Sequence, residues 1–126
     1  MSISKGDGGG LIFRGTSAKN QYYRFEIFTD QTYYIFVSVD ATGTNTRTLT
    51  SGTLSQPLNG TDTLSVVARG NTINVYVDPQ QNSQPVATIN DSTYTHGQIG
   101  VIALDLTKAA DVIFTNAKVW ALTPGA

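Results

Sequence analysis

One glutamate, Glu26, eight aspartates and a single histidine, His96, are the groups in this chain able to move protons. Splitting a glycosidic bond takes two carboxyl groups facing each other across the sugar. Six aspartates, Asp7, Asp30, Asp40, Asp62, Asp91 and Asp111, fall in turn-like sequence or at strand ends, where Asp serves its own backbone. Glu26, Asp78 and Asp105 remain as the set that would have to converge in a cleft, the simplest rival being Glu26 paired with a neighbouring arginine on a solvated strand. His96 precedes Gly97 and reads as a loop residue, and no nucleophile-elbow pattern accompanies it. One histidine and no cysteine leave no donor set for a transition metal, no disulfide and no thiol nucleophile. Calcium takes hard oxygen ligands, and Asp40, Thr42, Thr44 and Asn45 form one oxygen-rich stretch, with Asn90, Asp91 and Ser92 another. Neither has a binding-loop spacing, so no cofactor is expected. Gly8-Gly9-Gly10 lacks the lysine and following helix of a phosphate loop and reads as tight backbone at a strand entry.

A different chemistry suits the aromatics and planar polar groups. Sugar rings stack their C–H faces on aromatic rings, and their hydroxyls pair with Arg, Asn, Asp or Gln. Arg14, Tyr22, Arg24, Glu26, Tyr34, Arg69 and Tyr76 all fall on the polar side of strand-like segments and form the candidate ligand-binding set. Tyr and Arg on solvated strands also stabilise cross-strand pairs without binding anything. Trp120, between Val119 and Leu122, reads as core or interface.

These side chains need strands to position them. Thr, Val, Ile and Tyr dominate, and no window carries the helical apolar spacing beyond a short turn at 106–110. Strands are expected over 11–14, 22–28, 33–39, 46–49, 64–69, 72–77, 86–89, 98–104 and 112–122, with Gly70-Asn71 as a tight hairpin turn. Ser2 to Lys5 reads like the end of another strand. Alternation puts Tyr23, Phe25 and Ile27 on one face and Tyr22, Arg24 and Glu26 on the other. The expected core is Phe13, Tyr23, Phe25, Ile27, Tyr33, Ile35, Leu64, Val66, Ile73, Val75, Ile99, Val101 and Phe114. So many short strands predict an all-β antiparallel sandwich of the jelly-roll type, one domain over 1–122 with a tail at 123–126.

Composition narrows the partners. The 126 residues include 40% hydrophobic and only 13% charged, with a net charge of −1. Eight scattered Lys and Arg cannot track a phosphate backbone, which excludes nucleic acid as the expected partner. No apolar stretch reaches the roughly 20 residues of a membrane-crossing helix, and no signal-peptide pattern begins the chain. A hydroxyl- and amide-rich surface suits an extracellular or cell-surface module of a larger protein that meets a glycan or a protein ligand.

Three segments resemble the concanavalin A-like lectin/glucanase superfamily, in its bacterial laminin G-like and keto-disaccharide-hydrolase-like branches. They are the glycine-led strand from Gly6 to Arg14, the aromatic hairpin of Asn20 to Ile27 with Asp30 and Tyr33, and the stretches Gly97 to Val101 and Val112 to Val119. The resemblance implies a jelly roll of two curved sheets with ligands on a concave face or rim loops. It implies a non-catalytic lectin-like module, with a glycoside-processing enzyme or an assembly domain as alternatives. The superfamily's glucanase signature of two Glu flanking an Asp has no match. Two departures stand out: the strands that usually precede the glycine-led one are expected to be absent, which would leave an edge for a partner chain or homo-oligomer to cover, and Gln31 stands where the hairpin commonly has Gly.

Overall fold

The computed structural model describes residues 1–16, 21–39, 46–79, 84–104, 107 and 109–115. Ten strands run in chain order: β1 Ser2–Lys5, β2 Gly8–Thr16, β3 Gln21–Phe28, β4 Thr32–Ser38, β5 Thr46–Thr53, β6 Leu64–Arg69, β7 Thr72–Val77, β8 Ala87–Asn90, β9 Gln98–Leu104 and β10 Asp111–Ile113. They form a five-stranded sheet in the order β5-β4-β3-β2-β9, a three-stranded sheet β6-β7-β8 and a two-stranded sheet β1-β10. Every pairing is antiparallel. The fold is an all-β sandwich.

The period of two in a strand decides what each layer buries. Tyr23, Phe25 and Ile27 of β3, Ile35 and Val37 of β4 and Phe13 of β2 are buried, as are Ile73 and Val75 of β7 in the opposing sheet. Leu64, Val66, Ala68, Ile89, Val112 and Phe114 pack against this cluster. The expected core is therefore correct for most positions, with Met1, Val37 and Leu54 as unforeseen members. Ile99 and Val101 need correction: they are 57% and 51% exposed. Their alternation is right, since Val101 lies in register with Leu11 and Leu11 with Phe25, but β9 is the last strand of its sheet. An inward-pointing side chain at a sheet's margin is covered only if the opposing layer reaches it.

The layers are latched at one end. Tyr23 lies wholly inside, stacked on Phe13 at 5.2 Å and edge-on to Tyr94 at 5.6 Å. Its hydroxyl donates to Asp91 Oδ1 at 2.5 Å and accepts from the Tyr94 amide at 3.2 Å. Arg47 of β5 donates to Asp91 Oδ2 at 3.2 Å, and the Thr93 amide to Oδ1 at 2.9 Å. Burial works to raise the Asp91 pKa, but the bonds from Thr93 and Tyr23 and the charge of Arg47 outweigh it and hold the carboxyl below its ordinary range.

The hairpin between β3 and β4 turns on Gln31, whose φ is 76°. A non-glycine residue pays for this left-handed conformation with steric strain. The Gln31 amide donates to the Phe28 carbonyl at 3.0 Å and its Nε2 to the Leu54 carbonyl at 3.1 Å, which offsets part of that strain. Elsewhere the strands are longer than expected at β2 and β5, and β8 is shifted by one residue. Of the expected turn at 106–110, Thr107, Ala109 and Ala110 are described and are not helical, while Leu106 and Lys108, the end of the expected strand over 112–122, Trp120 and the tail lie outside the described residues.

Tyr23→Phe should cost roughly 1–3 kcal/mol in urea unfolding, because it strips a donor from a partly buried carboxylate. The Asp91 share of stability, present above about pH 4, should fade as acid protonates the lowered carboxyl. Gln31→Gly should fall within about 1 kcal/mol of the parent, since relief of strain offsets the lost amide bond, whereas Gln31→Val should cost more than about 1 kcal/mol.

Candidate functional site

The outward faces of β3 and β4 carry the polar and aromatic groups that their inward faces exclude. In register, Arg24 lies opposite Phe36, Glu26 opposite Tyr34 and Tyr22 opposite Ser38. The Arg24 guanidinium sits over the Phe36 ring at 5.0 Å and the Tyr22 ring at 5.9 Å. Phe36 stacks on Tyr34 at 5.5 Å with 5° between the planes, and Phe28 meets Tyr34 edge-on at 5.6 Å. Tyr22, Arg24, Phe36, Tyr34 and Phe28 thus form one continuous strip of half-buried planar groups.

Its two borders differ. Toward β5, Thr48 lies opposite Phe36 and Ser51 opposite Tyr34, so exposed hydroxyls flank the rings. Toward β2, Gly10 lies opposite Glu26 and Gly8 opposite Phe28. A Cβ on Gly10 would collide with the Phe25 carbonyl oxygen, and one on Gly8 with that of Ile27. Only glycine tolerates such close backbone, and it leaves the strip beside a band without side chains.

Glu26 is the unusual member. Although it points away from the core, it is 4% exposed, and Arg24 Nη1 stands 3.5 Å from its Oε2. Burial raises its pKa, and the Arg24 charge only partly opposes this. Arg24 Nε is itself buried without a hydrogen-bond partner. A 3.5 Å ion pair in which the cation keeps an unused donor is incompletely satisfied, and buried polar groups are normally fully paired. The site holds hydrogen-bonding capacity that the described residues do not consume.

The expected binding set divides. Tyr22, Arg24, Glu26 and Tyr34 come together. Arg69 and Tyr76 lie on β6 and β7 of the other sheet, on the side opposite its buried Ile73 and Val75, and so on the other face of the sandwich. Arg14 joins neither group: at φ 50°, its Nη1 donates to the carbonyls of Gly70 at 2.9 Å and Tyr94 at 3.1 Å, which clamps two loops. Phe28 and Phe36 were missed, although the same alternation that selects Arg24 and Tyr34 also selects them.

Other candidates resolve structurally. Glu26 lies on β3, Asp78 follows β7 of the opposing sheet, and Asp105 lies outside the described residues. Asp78 accepts from the Thr63 amide at 2.9 Å and Asn59 Nδ2 at 3.3 Å. Beside it, Asp62 is 3% exposed, and burial, with the neighbouring Asp78 carboxyl adding to it, raises its pKa. His96 is exposed with the Thr95 hydroxyl at 3.2 Å. The oxygen-rich stretch 40–45 lies outside the described residues, and the Asp91 oxygens of the second stretch are engaged by the latch. Among the described residues no three acidic or histidine side chains gather as metal ligands, and no helix is long and apolar enough to cross a membrane.

No family model matches the chain, and no curated protein does. Among solved structures it is similar to the carbohydrate binding module CBM66 from Bacillus subtilis, with a TM-score of 0.65 and 19% identity. The match covers 79% of this chain and 60% of that one, so the chain spans about three fifths of its neighbour's length. At this identity the likeness concerns the fold, and it agrees with the sandwich described above.

The electrostatics of Glu26 generate a prediction. Its raised pKa means that the protonated form suits the fold: its contribution is present below the ordinary carboxylate pKa and lost as pH rises through the folded value. Glu26→Gln should therefore raise stability at pH 7 by roughly 1–3 kcal/mol, the scale of one poorly satisfied buried polar group. The gain should shrink toward pH 4 when thermal unfolding is followed across the range.

Proposed function

We propose that the chain is a non-catalytic, lectin-like module that binds carbohydrate on the outward face of β3 and β4. The observation that carries this reading is the incompletely paired Arg24–Glu26 couple set in a strip of stacked rings. A sugar fits both halves: its C–H face stacks on Tyr34 and Phe36, while its hydroxyls accept from the partly exposed Arg24 side chain, which Glu26 anchors. A carboxylate beside the guanidinium favours a neutral glycan over an acidic one, because an anion would meet Glu26 at close range. The structural neighbour's description as a carbohydrate binding module supports the same class. The chain's ancestry is read as concanavalin A-like and its setting as extracellular or cell-surface, within a larger bacterial protein.

The hydrolase alternative gains nothing from the geometry, since Glu26 and Asp78 do not share a sheet. A glycan array probed with and without calcium tests the binding reading. Binding to a neutral glycan should persist in chelator. Arg24→Ala and Phe36→Ala should each weaken it tenfold or more, a loss of about 1.4 kcal/mol. Tyr76→Ala, on the other face, should leave it unchanged. An array without a bound glycan, or an Arg24→Ala protein that binds like the parent, would refute the assignment.

A further inference from the structure

Of the asparagines in the chain, Asn59 alone is followed by glycine. The pair lies in the connection between β5 and β6, and both residues are exposed. Gly60 has a φ of 94°, and a Cβ built on it would meet nothing within 4 Å. The left-handed backbone therefore explains the glycine, and packing does not. That choice has a chemical consequence. The backbone nitrogen of the residue after an asparagine can attack the side-chain amide, and a following glycine has no side chain to hinder the approach. At Asn71, Asn74 and Asn90 the next residue is Thr72, Val75 or Asp91, each with a side chain in the way. Asn74 and Asn90 are held in β7 and β8 as well.

We infer that Asn59 is a site of spontaneous deamidation and that its product loosens the loop joining β5 to β6. The Gly60 nitrogen gives up its proton and forms a bond to Asn59 Cγ. The Cγ–Nδ2 bond breaks, and Nδ2 takes the proton and leaves as ammonia. Water then opens the five-membered succinimide. Cleavage at Cγ gives aspartate, and cleavage at the main-chain carbonyl carbon gives isoaspartate. One water is consumed and one ammonia released, without oxidant or reductant. The surroundings make either product disruptive. Asn59 Nδ2 donates to Asp78 Oδ2 at 3.3 Å, and the Asn59 amide donates to Asp62 Oδ1 at 3.0 Å and Oδ2 at 3.2 Å. Deamidation puts a carboxylate where the donor to Asp78 stood, so like charges meet in place of a hydrogen bond. Asp62 beside them is 3% exposed, with little water to screen the added charge. Isoaspartate also lengthens the main chain by a methylene, which displaces the amide that caps Asp62. The Asp62 amide in turn donates to the Met1 carbonyl at 2.8 Å, and Met1 belongs to the core. The disturbance therefore has a route from an exposed loop to the interior.

Incubation of the native protein in mildly alkaline buffer, followed by peptide mapping with mass spectrometry, tests the site. Asn59 should convert at least about tenfold faster than Asn71, Asn74 or Asn90, a difference of about 1.4 kcal/mol in barrier. Isoaspartate should outnumber aspartate among the products, and Asn59→Gln should abolish conversion at this position. Asn59→Asp, which reproduces the direct product, should melt at a lower temperature than the parent, and the neutral Asn59→Gln should fall less. Should Asn59→Asp fail to fold, the melting temperature of parent protein enriched in the converted form gives the same comparison. An Asn59 that stays intact while Asn71, Asn74 or Asn90 converts would overturn the site. A converted protein as stable as the parent would overturn the loosening.

Discussion

A strand at the centre of a sheet must satisfy two environments with a single run of residues, and β3 shows what that constraint imposes. Within eight residues it sends Tyr23, Phe25 and Ile27 into an interior without solvent access and Tyr22, Arg24, Glu26 and Phe28 to the opposite side. Nothing about one face can shift without the other, because a slip of one residue would exchange them. The rigidity that the core needs therefore also positions the strip. Arg24 and Phe36 are held opposite each other by the same register that stacks Phe25 against Ile35.

The energetic character of the two faces differs. Inside, the Tyr23 hydroxyl is well partnered by Asp91 and the Tyr94 amide. Outside, Glu26 is nearly as buried as the core but among the described residues has only a long ion pair, and the Arg24 Nε has no partner among them. Folded proteins tolerate such incomplete pairing where function needs it and compensate elsewhere. The contrast separates a carboxylate that stabilises the sandwich from one that costs stability and has chemistry to offer.

Much of this was legible in the sequence, in proportion to how local the physics was. Alternation alone located the buried apolar residues of β3 and β7 and Ile35 of β4, though not Val37, and it put Tyr22, Arg24 and Glu26 on the opposite face. It could not say which sheet a polar face belongs to, so Arg69 and Tyr76 were grouped with residues on the far side of the molecule. Arg14 stands apart from the strip for a related reason: a left-handed backbone at a bulge accompanies its bonds to the carbonyls of Gly70 and Tyr94, and such a break in alternation leaves no local mark. Ile99 and Val101 have the pattern of core residues, but coverage at a margin depends on how far the opposing layer extends. Gln31 was noticed as a departure where glycine is common, and its positive φ gives the departure a physical meaning.

The outward face of β3 and β4 is where a sugar is proposed to dock. Titrating a neutral oligosaccharide into isotope-labelled protein, with amide and side-chain NMR shifts followed residue by residue, examines that directly. Shifts should concentrate at Tyr22, Arg24 Nε, Phe28, Tyr34 and Phe36 and leave Arg69 and Tyr76 still. Perturbations centred on β6 and β7, or on the loops alone, would contradict it.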